Sequence, residues 1–372
     1  MPTELYYTIA LLQIPFVGNI TAKDLIAHCG SAEAVFRSKK SHLLRIPNIG
    51  ASVADGVFAF DGWKTVENEL QFIEKNDICA TLYHEKTYPI RLAQHADAPT
   101  VLYQKGAWSS NEQRRNIGII GTRNPTPYGK KFAEDLVAAL APYNVSVISG
   151  LAYGIDITAH RASVNAQIPT VGVLAHGLGR IYPAVHAATA ERMWQGGGAL
   201  VTEFTSATPP DRENFPRRNR IVAGLSDALV VVETAVRGGS IITANIANDY
   251  NKDVFALPGR ISDTVSQGCN NLIKTSRANL IESVADLVYI MGWELSTVGI
   301  TKPEKGVQQQ LFNALVGDEK TVAEAMLPQT TPHIDEISRL TALPLSRLSA
   351  ALLTLEFGGF IRALPGKRYT KV

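Results

Sequence analysis

From about residue 115 onward the chain alternates short apolar runs, each ending in Gly or a polar turn, with stretches of helical spacing. No other feature constrains the fold as tightly. A strand that is apolar at consecutive positions has no face to show to water, so it belongs in a parallel sheet covered by helices on both sides. The runs fall at 116–120, 145–148, 170–174, 199–201, 228–232 and 253–257, with helix-like stretches at 128–141, 154–166, 184–194 and 240–250 between them. The pattern predicts an extended, doubly wound, Rossmann-like α/β sheet, whose ligands sit at the carboxyl ends of the strands.

The chain has 372 residues, enough for two or three domains. Within residues 1–80, IPFVGNITAKDLI at 14–26 and IPNIGASVADGV at 46–57 repeat a Pro-x-hydrophobic-Gly turn followed by helical spacing. They predict tandem helix-hairpin-helix units in a SAM-like helical domain, whose turn amides can meet phosphate. The same residues carry seven Lys/Arg against nine Asp/Glu, which favours a structural or protein-contact role. Residues 81–293 form the expected α/β domain. Residues 294–305 lose periodicity and read as a linker. Residues 306–372 offer three short helices, beginning with GVQQQLFNALVG, and two strands around a Pro-Gly turn, the order of a winged helix.

A formal net charge of +2 cannot by itself draw in a polyanion, so any such partner must be held by local clusters. Cys29, Cys79 and Cys269 are odd in number, far apart and free of C-x-x-C spacing, and so read as reduced structural thiols. No export signal and no long apolar run is evident, which gives the expectation of a cytoplasmic chain without membrane contact.

Three loop regions carry anion-binding chemistry. The first strand runs into GIIGTRNPTPYG, where Gly121 and Thr122 precede Arg123 at the strand mouth. The second runs into SGLAYGIDITAH, where Ser149, Gly150 and Gly154 lead to a helix N-terminus. The fifth runs into VRGGSIITA, where Gly239 and Ser240 open another helix. Between the fourth and fifth strands, DRENFPRRNRIVAGLSD is read as a further loop with Arg212, Arg217, Arg218, Asn219 and Arg220. Guanidinium groups grip phosphate in bidentate fashion, and Phe215, Tyr182, Tyr153 and Tyr128 supply faces for unpaired bases. The alternative for the arginines is salt bridging to Asp211, Glu213 and Asp227.

Taken in order, GTRNPTPYG, SGLAYGIDITAH, YP at 182–183, FPRRNRIVAGLS, E-x5-GSIITA, PGR and QGCNNLI resemble the motifs of the DprA (Smf) family, over residues 84–290. The resemblance implies a non-enzymatic protein without a cofactor. It implies binding of single-stranded DNA, dimerisation through the α/β domain, and loading of a RecA-type recombinase in natural transformation. It assigns the DNA pocket to Gly121, Thr122, Arg123, Ser149, Gly150 and Gly154, with Arg217, Arg218, Asn219, Arg220, Gly239 and Ser240 nearby. One departure is visible: Ala184 follows Tyr182–Pro183 where some members have a basic residue, and Arg180 is the candidate substitute.

Two other readings compete. RGGSIITAN is superficially like the phosphate loop of lysine-decarboxylase-like nucleotide phosphoribohydrolases, but the catalytic-type Glu that should follow is absent. Asp156 and His160, four residues apart on one helix, invite acid–base chemistry, against which stands a capping role for Asp156 in the first turn. The winged helix suggests a transcription regulator, yet its recognition helix at 344–356 has Arg347 as its one basic residue.

Overall fold

The computed structural model describes residues 3–109, 111–112, 114–294, 317–326, 332–357, 360–364 and 366–371. Two compact units emerge, Met1–Ser296 and Thr297–Val372.

The first unit opens with helices α1 (Glu4–Leu12), α2 (Asn19–Cys29), α3 (Ala32–Arg37), α4 (Lys40–Leu43), α5 (Ala51–Phe58) and α6 (Trp63–Lys75). Gly18 and Gly50, the last residues of the two repeated turns, are the N-caps of α2 and α5. Leu11, Ile14, Val17, Leu25, Ile46, Ile49 and Val53 from both repeats share one core, so each hairpin buries the apolar residues of its turn. A second cluster joins Ile9 and Val66 to Ile78, Leu82, Val101 and Tyr103, which fastens the helices onto the sheet edge.

That sheet has nine strands: β1 (Cys79–Leu82), β2 (Val101–Lys105), β3 (Arg115–Gly121), β4 (Val145–Ser149), β5 (Thr170–Val173), β6 (Ala199–Thr202), β7 (Ala228–Val232), β8 (Asp253–Ala256) and β9 (Asn279–Leu280). Their order is β1-β2-β6-β5-β4-β3-β7-β8-β9. Strands β6 to β9 in that order run parallel, while β1 and β2 extend the sheet antiparallel. The six runs expected from the sequence are β3 to β8. Strands β1, β2 and β9 lie outside those runs, being short and, in β1 and β9, partly exposed.

Helices connect and cover the strands: α7 (Ile90–Ala93), α8 (Pro127–Leu140), α9 (Ile155–Asn165), α10 (Ala187–Gln195), α11 (Asn214–Leu225), α12 (Gly239–Asp249), α13 (Gln267–Lys274) and α14 (Val284–Met291). Alternation along each strand feeds two cores. Ile117, Ile119, Val230 and Val232 face the side covered by α8 and α9, while Ile120, Leu229 and Val231 face the side of α11 and α12. Winding proceeds from β3 to β6 in one direction and resumes at β7 on the other flank of β3, so the switch point lies at the paired carboxyl ends of β3 and β7.

The stretch read as an arginine-rich loop is mostly helix α11, because Asn214, Arg218, Ile221, Val222 and Leu225 recur at helical spacing and turn inward.

The second unit contains α15 (Asp318–Ala325), α16 (Ile334–Thr341), α17 (Leu345–Phe357) and the antiparallel hairpin β10 (Ile361–Leu364) and β11 (Arg368–Lys371), a winged-helix arrangement. Its core gathers Val322, Ile337, Leu348, Leu352, Leu355 and Ile361. The helix expected in GVQQQLFNALVG and most of the expected linker lie outside the described residues. Among the described residues, no helix is long and apolar enough to cross a membrane.

Candidate nucleic-acid interface

A cavity of about 290 Å³ opens at the switch point. Gly121, Thr122 and Arg123 come to it from the end of β3, Arg218 and Asn219 from α11, and Gly238, Gly239 and Ser240 from the start of α12. Ser240 Oγ donates to the Gly121 carbonyl (2.9 Å), tying the α12 N-terminus to the strand end. The amides at that terminus carry the partial positive charge of the helix dipole into the cavity wall.

Arg218 dominates the electrostatics. It is only 4% exposed, yet makes no hydrogen bond or ion pair among the described residues, and its Nε is sealed from solvent without a partner. Burial pushes its guanidinium down, to about 10, with Asp156 opposing that shift and Arg123 adding to it. At neutral pH the group therefore stays charged. Burying a cation without a bonded partner costs several kcal/mol, an expense that a bound anion would offset.

The surrounding loops make room for this side chain. A Cβ at Gly150 would overlap the Arg218 guanidinium, so the glycine lets that side chain lie against the loop. Gly154, at φ +86°, caps α9 where a Cβ would overlap the Thr122 carbonyl, so it lets the β3 and β4 loops cross. Neither Gly154 nor Ser149 lines the cavity: Ser149 is buried and its Oγ donates to the Ile119 carbonyl (2.6 Å). Asp156 does line it, accepting from the Gly150 amide (3.2 Å), and burial raises its carboxyl above the ordinary range. His160 is buried apart from it, bonded through Nδ1 to Thr170 Oγ1 (2.7 Å) and pushed by burial down to about 3. No hydrogen bond joins the two into an acid–base pair: Asp156 borders the cavity, and His160 is bonded within the core.

Arg123 is exposed at the mouth, with its Cζ 5.2 Å from the centre of the Phe215 ring. The loop carrying it is held by Glu233. This buried residue, at φ +55°, accepts from the Thr126 amide (2.8 Å) and hydroxyl, while its own carbonyl accepts from the Thr122 amide (2.7 Å). Beside Arg123 lies a smaller space of about 90 Å³, walled by Gly150, Tyr153, His176, Tyr182 and Phe215. The Tyr182 and Phe215 rings meet edge to face at 6.3 Å.

The arginine segment divides. Arg217 is exposed and lies over Phe204 in a different cavity. Arg220 pairs with Glu203 (2.5 Å) and donates to the Asp97 carbonyl (2.5 Å), so it is an architectural residue. Asp227 is paired with Arg91 (2.6 Å) rather than with any of these arginines. Arg180 and Ala184 are exposed and line neither space at the switch point. Thr234 and Thr243 line the main cavity but went unnoticed in the sequence, where their position after β7 and one turn into α12 was the available signal.

The family model for DNA recombination-mediator protein A matches residues 79–292, a DprA winged helix domain matches 309–367, and a helix-hairpin-helix motif matches 8–67. Protein Smf of Synechocystis sp. is 30% identical, with 99% of each chain covered. Among solved structures, DNA processing protein A from Streptococcus pneumoniae superposes with a TM-score of 0.66 at 27% identity, covering 78% of this chain and 99% of its own. DNA processing protein A from Helicobacter pylori, described with a single-stranded DNA binding mode, gives 0.52 at 28% identity, covering 57% and 100%. With the α/β core, the hairpins and the winged helix all matched in order, the chain belongs to the DNA recombination-mediator protein A family, the DprA or Smf proteins.

Proposed function

We propose that this chain binds single-stranded DNA without chemically altering it, gripping a backbone phosphate in the Arg218 cavity. The observation that carries the reading is a buried, charged guanidinium without a bonded partner, set opposite a helix N-terminus in an open cavity. Arg123 and Asn219 complete the grip from the rim, and Gly121, Thr122, Gly239 and Ser240 offer close backbone approach. Unpaired bases then meet Phe215, Tyr182 and Tyr153, whose faces accept any base. The single-stranded DNA binding described for the Helicobacter pylori relative supports the same ligand.

A phosphoribohydrolase needs a free carboxylate at the reacting centre; Glu233 is committed to the Thr126 loop, and Asp156, which lines the cavity, accepts from the Gly150 amide and is pushed toward its neutral form by burial. From the family resemblance we also propose that the chain acts as a homodimer through its α/β unit and passes the strand to a RecA-type recombinase during natural transformation. A gel-shift comparison of single-stranded and duplex DNA of one sequence tests the ligand, run beside an assay for base released from nucleoside monophosphates. Preference for the single strand with no released base is expected. Equal binding of both forms, or steady turnover, would replace this reading.

A further inference from the structure

A second cavity, of about 210 Å³, opens where the first hairpin of the N-terminal helices meets the carboxyl end of β6. Gln13, Gly18 and Asn19 of that hairpin face Glu203 and Phe204 just past the strand, with Arg217 of α11 completing the wall. Two polar atoms of these lining side chains, both shielded from solvent, have no partner among the described residues: Gln13 Nε2, a donor, and Glu203 Oε1, an acceptor. Glu203 Oε2 is already taken, by Asn19 Nδ2 (2.7 Å) and Arg220. An unmet donor and an unmet acceptor on side chains that line one cavity suit a ligand that shows an acceptor beside a donor and turns them toward it. The Watson–Crick edge of each of the four nucleobases does so, which makes such a site tolerant of sequence.

Arg217 connects this cavity to the first one. It adjoins Arg218 in sequence, and at 3.6 residues per turn the two side chains leave α11 about 100° apart, so one helix supplies a cation to each cavity. Arg217 makes no ion pair among the described residues; its guanidinium lies 5.3 Å from the Phe204 ring centre and remains exposed. The net negative helical segment contributes two side-chain amides and a glycine here rather than charge, which suits contact with a base and leaves the phosphate to Arg217.

We propose that the first-hairpin cavity is a second subsite for the bound strand, in which Arg217 holds a phosphate and the cavity takes one unpaired base of any identity. The inference rests on the reading of the Arg218 cavity as the strand's anchor. It gives the first hairpin a direct part in holding DNA.

The test uses the full chain and fluorescence anisotropy with two thymidine oligonucleotides, one long enough only for the Arg218 cavity and one about three times longer. Gly18 is at φ −92° with nothing within 4 Å of where a Cβ would sit, so Gly18→Phe narrows the cavity without straining the fold. Gly18→Phe and Arg217→Ala are each expected to weaken the long oligonucleotide at least about fivefold and leave the short one unchanged. Arg217→Ala should also lower the salt slope for the long one by about 0.7, and Arg217→Lys should restore it. Parent-like binding of the long oligonucleotide by both variants would overturn the subsite, as would equal losses for the two lengths. Arg218→Ala separates the two readings. If it loses both lengths while Gly18→Phe changes nothing, the second subsite alone falls; if it binds both like the parent, the anchor falls and the subsite with it.

Discussion

Arg218 and Arg220 stand two residues apart on α11 and are both largely screened from water, yet they serve opposite ends. Arg220 is matched by a buried carboxylate and a backbone carbonyl, so its charge is spent inside the protein. Arg218 bonds to neither: Asp156 acts on it only through space, and its guanidinium borders a cavity edged by a helix N-terminus. Burial alone therefore says little about an arginine's role. Whether the protein itself supplies a bonded counter-charge separates the arginine that holds the fold from the one that waits for a ligand.

Removing each side chain should give opposite phenotypes. Arg220→Ala leaves the buried Glu203 without its cation, held only by Asn19, and is expected to cost about 3–5 kcal/mol in chemical denaturation, while the surviving folded protein keeps its affinity for a single-stranded oligonucleotide long enough only for the Arg218 cavity. A mild stability effect would break the contrast from the architectural side. Arg218→Ala is expected to cost about 1.5–3 kcal/mol of binding, roughly 10- to 150-fold, with stability little changed because the buried charge that goes has no bonded partner. Anisotropy and melting curves on the same samples decide it; a variant that melts early and binds normally would place Arg218 with Arg220.

Arg123 should behave as a weaker copy of Arg218. Being exposed over Phe215, its loss in Arg123→Ala is expected to lower affinity about tenfold and reduce the salt slope by about 0.7, with no change in stability. An unaltered slope would remove Arg123 from the phosphate contacts.

The smallest effect concerns acid stability and a buried group with no part in binding. His160 is held near 3 in the folded chain against an ordinary 6.5, so below 6.5 the unfolded chain takes up a proton that the folded chain refuses. This contribution is complete above pH 6.5 and is lost as pH falls toward 3. Asp156, shifted upward, works the other way in the acid range, so the parent and His160→Asn must be compared. The variant should show a flatter fall in melting temperature between pH 6.5 and 4 and unchanged DNA affinity at pH 7.5. An identical fall would remove His160 as the cause.

Much of this contrast was hidden in the sequence. The six main strands were legible because a strand buried on both faces is apolar at every position, and the Gly121–Arg123 and Gly239–Ser240 corners followed from where those strands end. Strands β1, β2 and β9 were not, being short and partly polar. The arginine segment was misread because α11 begins with Asn214, Phe215 and Pro216 and has few apolar residues in its first half. Its phase was nonetheless written in Arg218, Ile221, Val222 and Leu225, whose spacing turns Arg218 inward and Arg217 away. Which cation meets Glu203 and which meets none depends on contacts far apart in sequence, and no local pattern records them.

The central claim is that the Arg218 cavity is where the strand's phosphate is held. A crystal structure of the full chain with a short thymidine oligonucleotide tests it most directly. The account predicts a phosphate oxygen within hydrogen-bonding distance of the Arg218 guanidinium, beside the Gly239 and Ser240 amides, with a base against Phe215 or Tyr182. A strand lying on another face, with Arg218 still unpartnered, would contradict it.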